Sequence, residues 1–328
     1  WMSGVRVPHR PLSSVGWPGW RTEESEPGLV QVIRVVRKPM TKIVSLSVLL
    51  LPLVSAVASA VDRPDNVGSA KSAVRANSQR ERRLGPLVIV GGGGTPESVG
   101  RHFVKLSGGG KARIAVLPQA SSRPDRGASS VKMFNSLGSR SFIVNLEDPR
   151  DARERIETAT AVWFPGGSQS ALYGALKKAS LVALIRRRHA RGLVVGGTSA
   201  GAAVMSAVMI SRSPETPTLR SGNTPSACGL GLVPGLIIDQ HFVRRRRMNR
   251  LIGIVLDQPG RIGVGIGEAT AIIVSDGRFR VMGKNSVIVV DPRGARVDRP
   301  AAGGLQSATG LRLHVLKAGQ DFRFQKED

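Results

Sequence analysis

Residues 192–205 read Gly-Leu-Val-Val-Gly-Gly-Thr-Ser-Ala-Gly-Ala-Ala-Val-Met. Leu193 to Val195 is a short buried strand, and the small residues from Ala200 to Met205 begin a helix. Between them lies Gly197-Thr-Ser-Ala-Gly201, a G-x-S-x-G turn in the strand-to-helix context of a nucleophile elbow. The turn is tight, so a side chain at Gly197 or Gly201 would collide with the neighbouring strand or helix. The Ser199 hydroxyl then stands clear of the backbone at the positive end of the helix dipole.

Two more short apolar runs end in groups that a serine nucleophile needs. Leu236 to Ile238 leads into Asp239-Gln240-His241-Phe242, and Ile262 to Ile266 leads into Gly267-Glu268. In a parallel sheet the strand C-termini share one crevice, where ligands collect. A serine needs a base to take its proton and the base needs an acid to orient it. Ser199, His241 and Glu268 fill these three roles, in the order Ser, His, acid. The order in α/β-hydrolases is Ser, acid, His, which argues against an ordinary esterase or lipase.

Upstream, strands alternate with helices. Leu87 to Val90, Arg113 to Leu117, Ser141 to Leu146 and Ala159 to Phe164 read as strands. Pro96 to Leu106, Val131 to Leu137 and Leu172 to Arg188 read as helices. The alternation predicts an α/β fold with a doubly wound, mostly parallel sheet. Downstream of Glu268, Ala271 to Val274, Phe279 to Met282 and Val287 to Val290 are strands joined by turns, an antiparallel C-terminal edge; Leu311 to Leu316 is one last strand. Gly91 to Gly94 lacks the residues of a P-loop and of a dinucleotide fingerprint, and reads as a tight turn beside the crevice.

These pieces resemble cyanophycinase and its relatives, the serine exopeptidases that include aspartyl dipeptidases. The resemblance lies in Val162-Trp-Phe-Pro-Gly-Gly-Ser-Gln169, Gly196 to Gly201, the segment Asp239-Gln-His-Phe followed by spaced arginines up to Arg250, and Gly265-Ile-Gly-Glu-Ala-Thr270. It implies a flavodoxin-like, class I glutamine amidotransferase-like sheet and a homodimer. The implied activity is hydrolysis of cyanophycin, a poly-aspartate carrying arginine on its side chains, to β-aspartyl-arginine dipeptides. No cofactor or metal is implied. Ser199, His241 and Glu268 match the catalytic positions. The amide of Ala200, next after the nucleophile, is one oxyanion donor, and the resemblance implies Gly167 as the second. Gln169, Asp239, Gln240, Arg245, Arg247 and Arg250 match substrate-binding positions, the arginines as carboxylate clamps. Arg244 and Arg246 are expected to face solvent. Ser168 departs from an aspartate common at this position, and so keeps a shorter aspartyl or isoaspartyl peptide open as substrate.

The 328 residues carry 48 Lys and Arg against 23 Asp and Glu, a net charge of +25. Such a surface also fits a non-catalytic polyanion-binding protein, but there is no nucleic-acid motif and only one tyrosine. Nucleic acid is therefore not an expected partner. Met40 to Ala60 has the form of a secretory signal: Lys42, the apolar run Ile43 to Leu53, and Ala58-Ser59-Ala60 before the cleavage point. Met40 is read as the start and residues 1–39 as an upstream translation artefact. Cleavage leaves Val61 to Asp328, secreted or periplasmic and free of the membrane. Residues 61–84 read as a flexible linker; the peptidase domain spans 85–328. The single Cys228 cannot form an internal disulfide.

Overall fold

The computed structural model describes residues 84–123 and 125–325. The expected signal segment 40–60, the residues before it and the linker up to Arg83 lie outside the described residues.

Five strands run parallel: β1 (Leu87–Val90), β2 (Arg113–Val116), β3 (Arg140–Ile143), β4 (Ala161–Phe164) and β5 (Val194–Thr198), in the spatial order β1-β5-β4-β2-β3. β1 and β4 are buried along their whole length, as near-continuous apolar strands covered on both faces should be. Alternate residues feed two cores. Val88, Val90, Ile114, Val116 and Trp163 pack with α1 (Glu97–Leu106) and α2 (Ala128–Ser136). Leu87, Ile89, Ala115, Val162 and Phe164 face the other way, toward α3 (Pro149–Thr158), α4 (Gln169–Lys178) and α5 (Val182–His189). The sheet is thus doubly wound. α3 starts where it does because the Asp148 side chain accepts from the amides of Arg150 and Asp151 and Pro149 needs no donor.

After β5 comes a single helical turn, α6 (Ala200–Ala203), and a short hairpin of β6 (Val208–Ile210) and β7 (Ser226–Cys228). β8 (Leu236–Asp239) and β9 (Ile262–Ile266) are strands, as their apolar runs predict, but they do not extend the first sheet. They form a second one with β12 (Val287–Asp291) and β13 (Arg312–Leu316), in the order β13-β12-β9-β8. β10 (Thr270–Ser275), β11 (Arg278–Gly283) and β14 (Asp321–Arg323) supply the antiparallel edge of the first sheet, β10 pairing with β1. The expected antiparallel edge is real for Thr270–Ser275 and Arg278–Gly283, but Val287–Asp291, expected to continue it, lies in the second sheet, and the chain crosses between the sheets at 267–269, at 284–286 and again at 317–320. The first two of these crossings are bonded to each other: Lys284 N–H donates to Ala269 O at 3.0 Å and Gly267 N–H to Ser286 O at 3.1 Å.

The second sheet packs Leu236, Ile238, Val264, Ile266, Val287 and Val289 against the first. Its other face carries Ile237 and Val290 against α7 (Met248–Asp257). β9 reads Ile-Gly-Val-Gly-Ile for this reason. Its two glycines meet the helix side, where a side chain at Gly263 would strike Leu251 and Val255 and one at Gly265 would strike the Phe242 ring. Phe242 follows His241, so this close approach also places His241.

Gly265→Ala is expected to destabilise the protein by about 1–3 kcal/mol through overpacking, read as a lower urea midpoint. Gly174→Ala, in α4 where a methyl meets nothing within 4 Å, should be neutral or stabilising by up to about 1 kcal/mol. Equal effects at both positions would show that the β9 glycines do not serve close packing.

Candidate active site

The elbow is strained as its sequence requires. Ser199 has φ 55° and ψ −112°, a conformation few non-glycine residues adopt. A side chain at Gly201 would overlap the Phe164 carbonyl, and one at Gly197 would come within 2.6 Å of the Gly201 carbonyl. α6 is only one turn long, so little macrodipole stands behind Ser199. What faces Ser199 is local: the first amides of α6 and the Gly166-Gly167 turn. A methyl at Gly166 would sit 3.4 Å from Ser199 Cβ. Among the described residues no protein acceptor takes the Gly167 or Ala200 amide, so both N–H groups are left without a protein partner.

Ser199 Oγ lies 3.0 Å from His241 Nε2, and His241 Nδ1 lies 2.6 Å from Glu268 Oε1. The three expected residues, drawn from both sheets, therefore meet. The hydrogen bond from His241 holds the Glu268 carboxyl below its ordinary value, against partial desolvation, and the Arg244 charge adds to it. An ionised carboxylate can only accept, so Nδ1 carries a proton, and in the neutral imidazole with that tautomer Nε2 accepts from the serine hydroxyl.

The backbone arrangement that brings them together starts at the end of β1. Three successive carbonyls each receive one arm of the site. Val90 O accepts the Ser199 amide at 3.0 Å, Gly91 O the His241 amide at 2.7 Å, and Gly92 O the Ala269 amide at 2.8 Å. Gly92 and Gly93 have φ of 89° and 67°, and side chains there would overlap the His241 ring and the Glu268 side chain. Asn285 Nδ2 donates to the Glu268 carbonyl at 2.6 Å. The glycine run was visible in the sequence as a turn, but its partners were not. Nothing local marks Asn285, because its contact joins one crossing segment to the other, 17 residues away.

The expected substrate-binding residues divide. Arg250 is 6% exposed and grips Asp239, itself 1% exposed, through both oxygens, with Nε–Oδ2 at 2.7 Å. Arg247 Nη1 donates to the Gln240 carbonyl at 2.6 Å and to Gln240 Oε1 at 2.8 Å, and lies 3.3 Å from Asp239 Oδ1. Burial pushes its guanidinium down to about 10, opposed by the Asp239 charge. Arg247 and Arg250 thus hold Asp239 and Gln240 rather than stand as open clamps. Gln169 donates to the Ile210 carbonyl at 2.7 Å and ties the start of α4 to the end of β6. Ser168 caps α4 by accepting from Ala171 N–H at 3.2 Å. Arg245 and Arg246 are exposed. Arg244, expected only to meet solvent, is 75% exposed but lies 3.5 Å from Glu268 Oε1. Among the described residues no group of three or more His, Cys, Asp or Glu is placed to hold a metal ion, and no helix is long and apolar enough to cross a membrane.

Removing Arg250 leaves Asp239 buried with much of its charge unpaired. Arg250→Ala is therefore expected to cost about 3–5 kcal/mol of stability, seen as a large fall in the urea midpoint. Arg245→Ala should stay within about 0.5 kcal/mol. A stable, well-folded Arg250→Ala protein would mean that Arg250 is not a structural partner of Asp239.

The model of Peptidase family S51 matches residues 87–282. The chain is 36% identical over 253 residues to a cyanophycinase of Trichormus variabilis, covering 72% of this chain and 84% of that one. It is 34% identical over 251 residues to a cyanophycinase of Geminocystis herdmanii, covering 72% and 92%. In fold it is similar to the crystal structure of a peptidase from an acI-B1 Actinobacterium, with a TM-score of 0.55 at 21% identity over 75% of this chain and all of the other. The elbow serine, the mixed α/β architecture and these matches agree: the chain belongs to peptidase family S51 and is a serine-type peptidase of the cyanophycinase type.

Proposed function

We propose that the protein is an exported serine exopeptidase that hydrolyses cyanophycin to β-aspartyl-arginine dipeptides. Ser199 is the nucleophile, His241 the general base and Glu268 the acid that orients it. The observation that carries this reading is the relay from Ser199 Oγ to His241 Nε2 at 3.0 Å and on to Glu268 at 2.6 Å, in a chain 36% identical to a cyanophycinase. His241 takes the serine proton as Oγ attacks the scissile carbonyl, and returns it to the leaving amine. The Gly167 and Ala200 amides receive the charge that develops on the carbonyl oxygen. Asp239, Gln240, Arg247 and Arg250 form the wall beside the base, and Arg245 is the arginine of the group best exposed to meet a substrate carboxylate. A homodimer and export through the segment 40–60 complete the proposal. Ser168 favours a second reading, in which short aspartyl or isoaspartyl peptides are the substrate, because a serine supplies no carboxylate for the arginine side chain of cyanophycin.

Ser199→Ala should retain its fold by circular dichroism and lose at least about 10⁴-fold in kcat. His241→Ala should lose a similar amount and the double variant little more, since the members of such a unit do not act additively. The assay incubates the protein with purified cyanophycin and, separately, with aspartyl dipeptides, and identifies products by mass. Dipeptide release from cyanophycin supports the first reading and cleavage of the dipeptides alone the second. Undiminished turnover by Ser199→Ala would remove both.

Chain expressed from Met40 in a secreting host should leave the cytoplasm and begin at Val61 by amino-terminal sequencing. An intact Met40 terminus on a membrane-bound product would overturn the export proposal.

A further inference from the structure

The turn after His241 sorts its arginines. His241 itself has φ 50°, and the chain then winds tightly, with Arg245 N–H donating to His241 O at 3.0 Å, Arg246 N–H to Val243 O at 3.1 Å and Arg247 N–H to Phe242 O at 3.2 Å. This winding sends Arg247 back to Asp239 and Gln240. It sends Arg244 the other way, to the carboxylate of Glu268. Arg244 Nε is 3.5 Å from Oε1, the same oxygen that accepts from His241 Nδ1 at 2.6 Å.

We propose that Arg244 is a positioning residue for the Ser199–His241–Glu268 unit: its guanidinium shares Glu268 Oε1 with the imidazole, and so limits how strongly the carboxylate stabilises the protonated base. The inference rests on the reading of those three residues as one catalytic unit. Arg244 lies outside the substrate-binding positions that the sequence singles out.

The other groups around Glu268 leave this role to Arg244. The Gly91 to Gly94 turn brings no charge. Asn285 gives its side-chain amide to the Glu268 carbonyl, not to the carboxylate. Lys284 contributes a backbone amide to Ala269. Arg245 also favours the charged form of Glu268, but less than Arg244 does. Ser199 is neutral. A cation held beside the carboxylate has two effects of opposite use. It keeps Glu268 ionised, so the imidazole stays oriented with Nδ1 as donor. It also disfavours a second positive charge on the imidazole a few ångströms away, so the base stays unprotonated to lower pH. Removing it must therefore raise the pH at which His241 loses its proton.

The test reads His241 directly, by ¹⁵N-imidazole NMR titration of the full chain, with His241→Gln used to assign the signal. In parallel, the rate of inactivation by phenylmethylsulfonyl fluoride is followed against pH, which reports the base without needing the substrate. Arg244→Ala is expected to move both midpoints upward by about half a pH unit, the size of one charge acting over several ångströms through a water-like dielectric. Arg244→Lys, which keeps the cation, should retain most of the parent behaviour. In the parent, 1 M salt should shift the midpoint in the same direction as Arg244→Ala, because the Debye length falls to about 3 Å. The variant should respond less. Arg246→Gln, an exposed charge removed from the same turn, should leave the midpoint in place. A His241 titration in Arg244→Ala that superimposes on the parent would overturn the inference, as would an equal shift in Arg246→Gln. If His241 shifts as expected but Ser199→Ala still turns over substrate, the nucleophile assignment falls while the coupling of Arg244 to the imidazole stands.

Discussion

Three successive carbonyls at the end of β1 hold the site together. Val90, Gly91 and Gly92 accept the amides of Ser199, His241 and Ala269, one from the first sheet, one from the second, and one from the crossing between them. Each bond fixes a loop that would otherwise be free to rotate about its own strand end. Because the three acceptors are consecutive, errors in one arm cannot accumulate independently of the others. This is how Ser199 and His241, at the ends of strands in different sheets, hold a 3.0 Å contact. The glycines of the turn follow from the same constraint. The turn presents these carbonyls with φ positive at Gly92 and Gly93, and the His241 ring and Glu268 side chain occupy the space where their side chains would be.

Much of this was legible in the sequence, and the part that was not has a common cause. The buried strands Leu87 to Val90 and Ala161 to Phe164, the elbow at Ser199 and the strand-end positions of His241 and Glu268 all follow from local patterns. A continuous apolar run, a glycine-flanked serine or a polar residue after a strand is written within a few residues. Sheet membership is not. Leu236 to Ile238 and Ile262 to Ile266 have the same apolar character as the strands of the first sheet, and a single crevice at the end of one parallel sheet was the natural expectation. The second sheet depends on what each strand meets across its faces. The only local trace is the spacing of Gly263 and Gly265, which records a helix and a ring pressed against one side of β9. The α3 helix, with Asp148 and Pro149 at its start, carried a readable signal that the charged run following it obscured.

The positive charge also looks different once its partners are known. A net charge of +25 suggests a surface for polyanions, but many arginines are engaged within the fold. Arg186 donates to the Leu230 carbonyl at 2.6 Å and Arg188 to the Ala159 carbonyl at 2.7 Å. Arg293 and Arg312 both bond Asp291, which is 1% exposed. Burial pushes the Asp291 carboxyl up, yet the hydrogen bonds and charge of Arg293, with the charge of Arg312, bring it below its ordinary value. Guanidinium suits these places because its planar fork satisfies two acceptors at once and stays charged when partly desolvated. An arginine-rich composition therefore measures internal cross-linking as well as surface potential.

The arginine run after His241 shows both uses within seven residues. Arg247 and Arg250 close on Asp239 and fix the end of β8, so His241 is mounted on a buried ion pair rather than on a free loop. A buried pair of this kind adds little net stability compared with apolar packing, but it penalises any geometry in which one partner is displaced. That penalty is useful directly beneath a residue whose ring must meet a hydroxyl on one side and a carboxylate on the other. Arg244, exposed and therefore worth little to stability, stands on the opposite side of the same turn, against Glu268. The run thus cannot be read as one basic surface or as one set of clamps. Its buried members set where His241 is, and its exposed member nearest the carboxylate stands 3.5 Å from the Glu268 oxygen that the imidazole also meets.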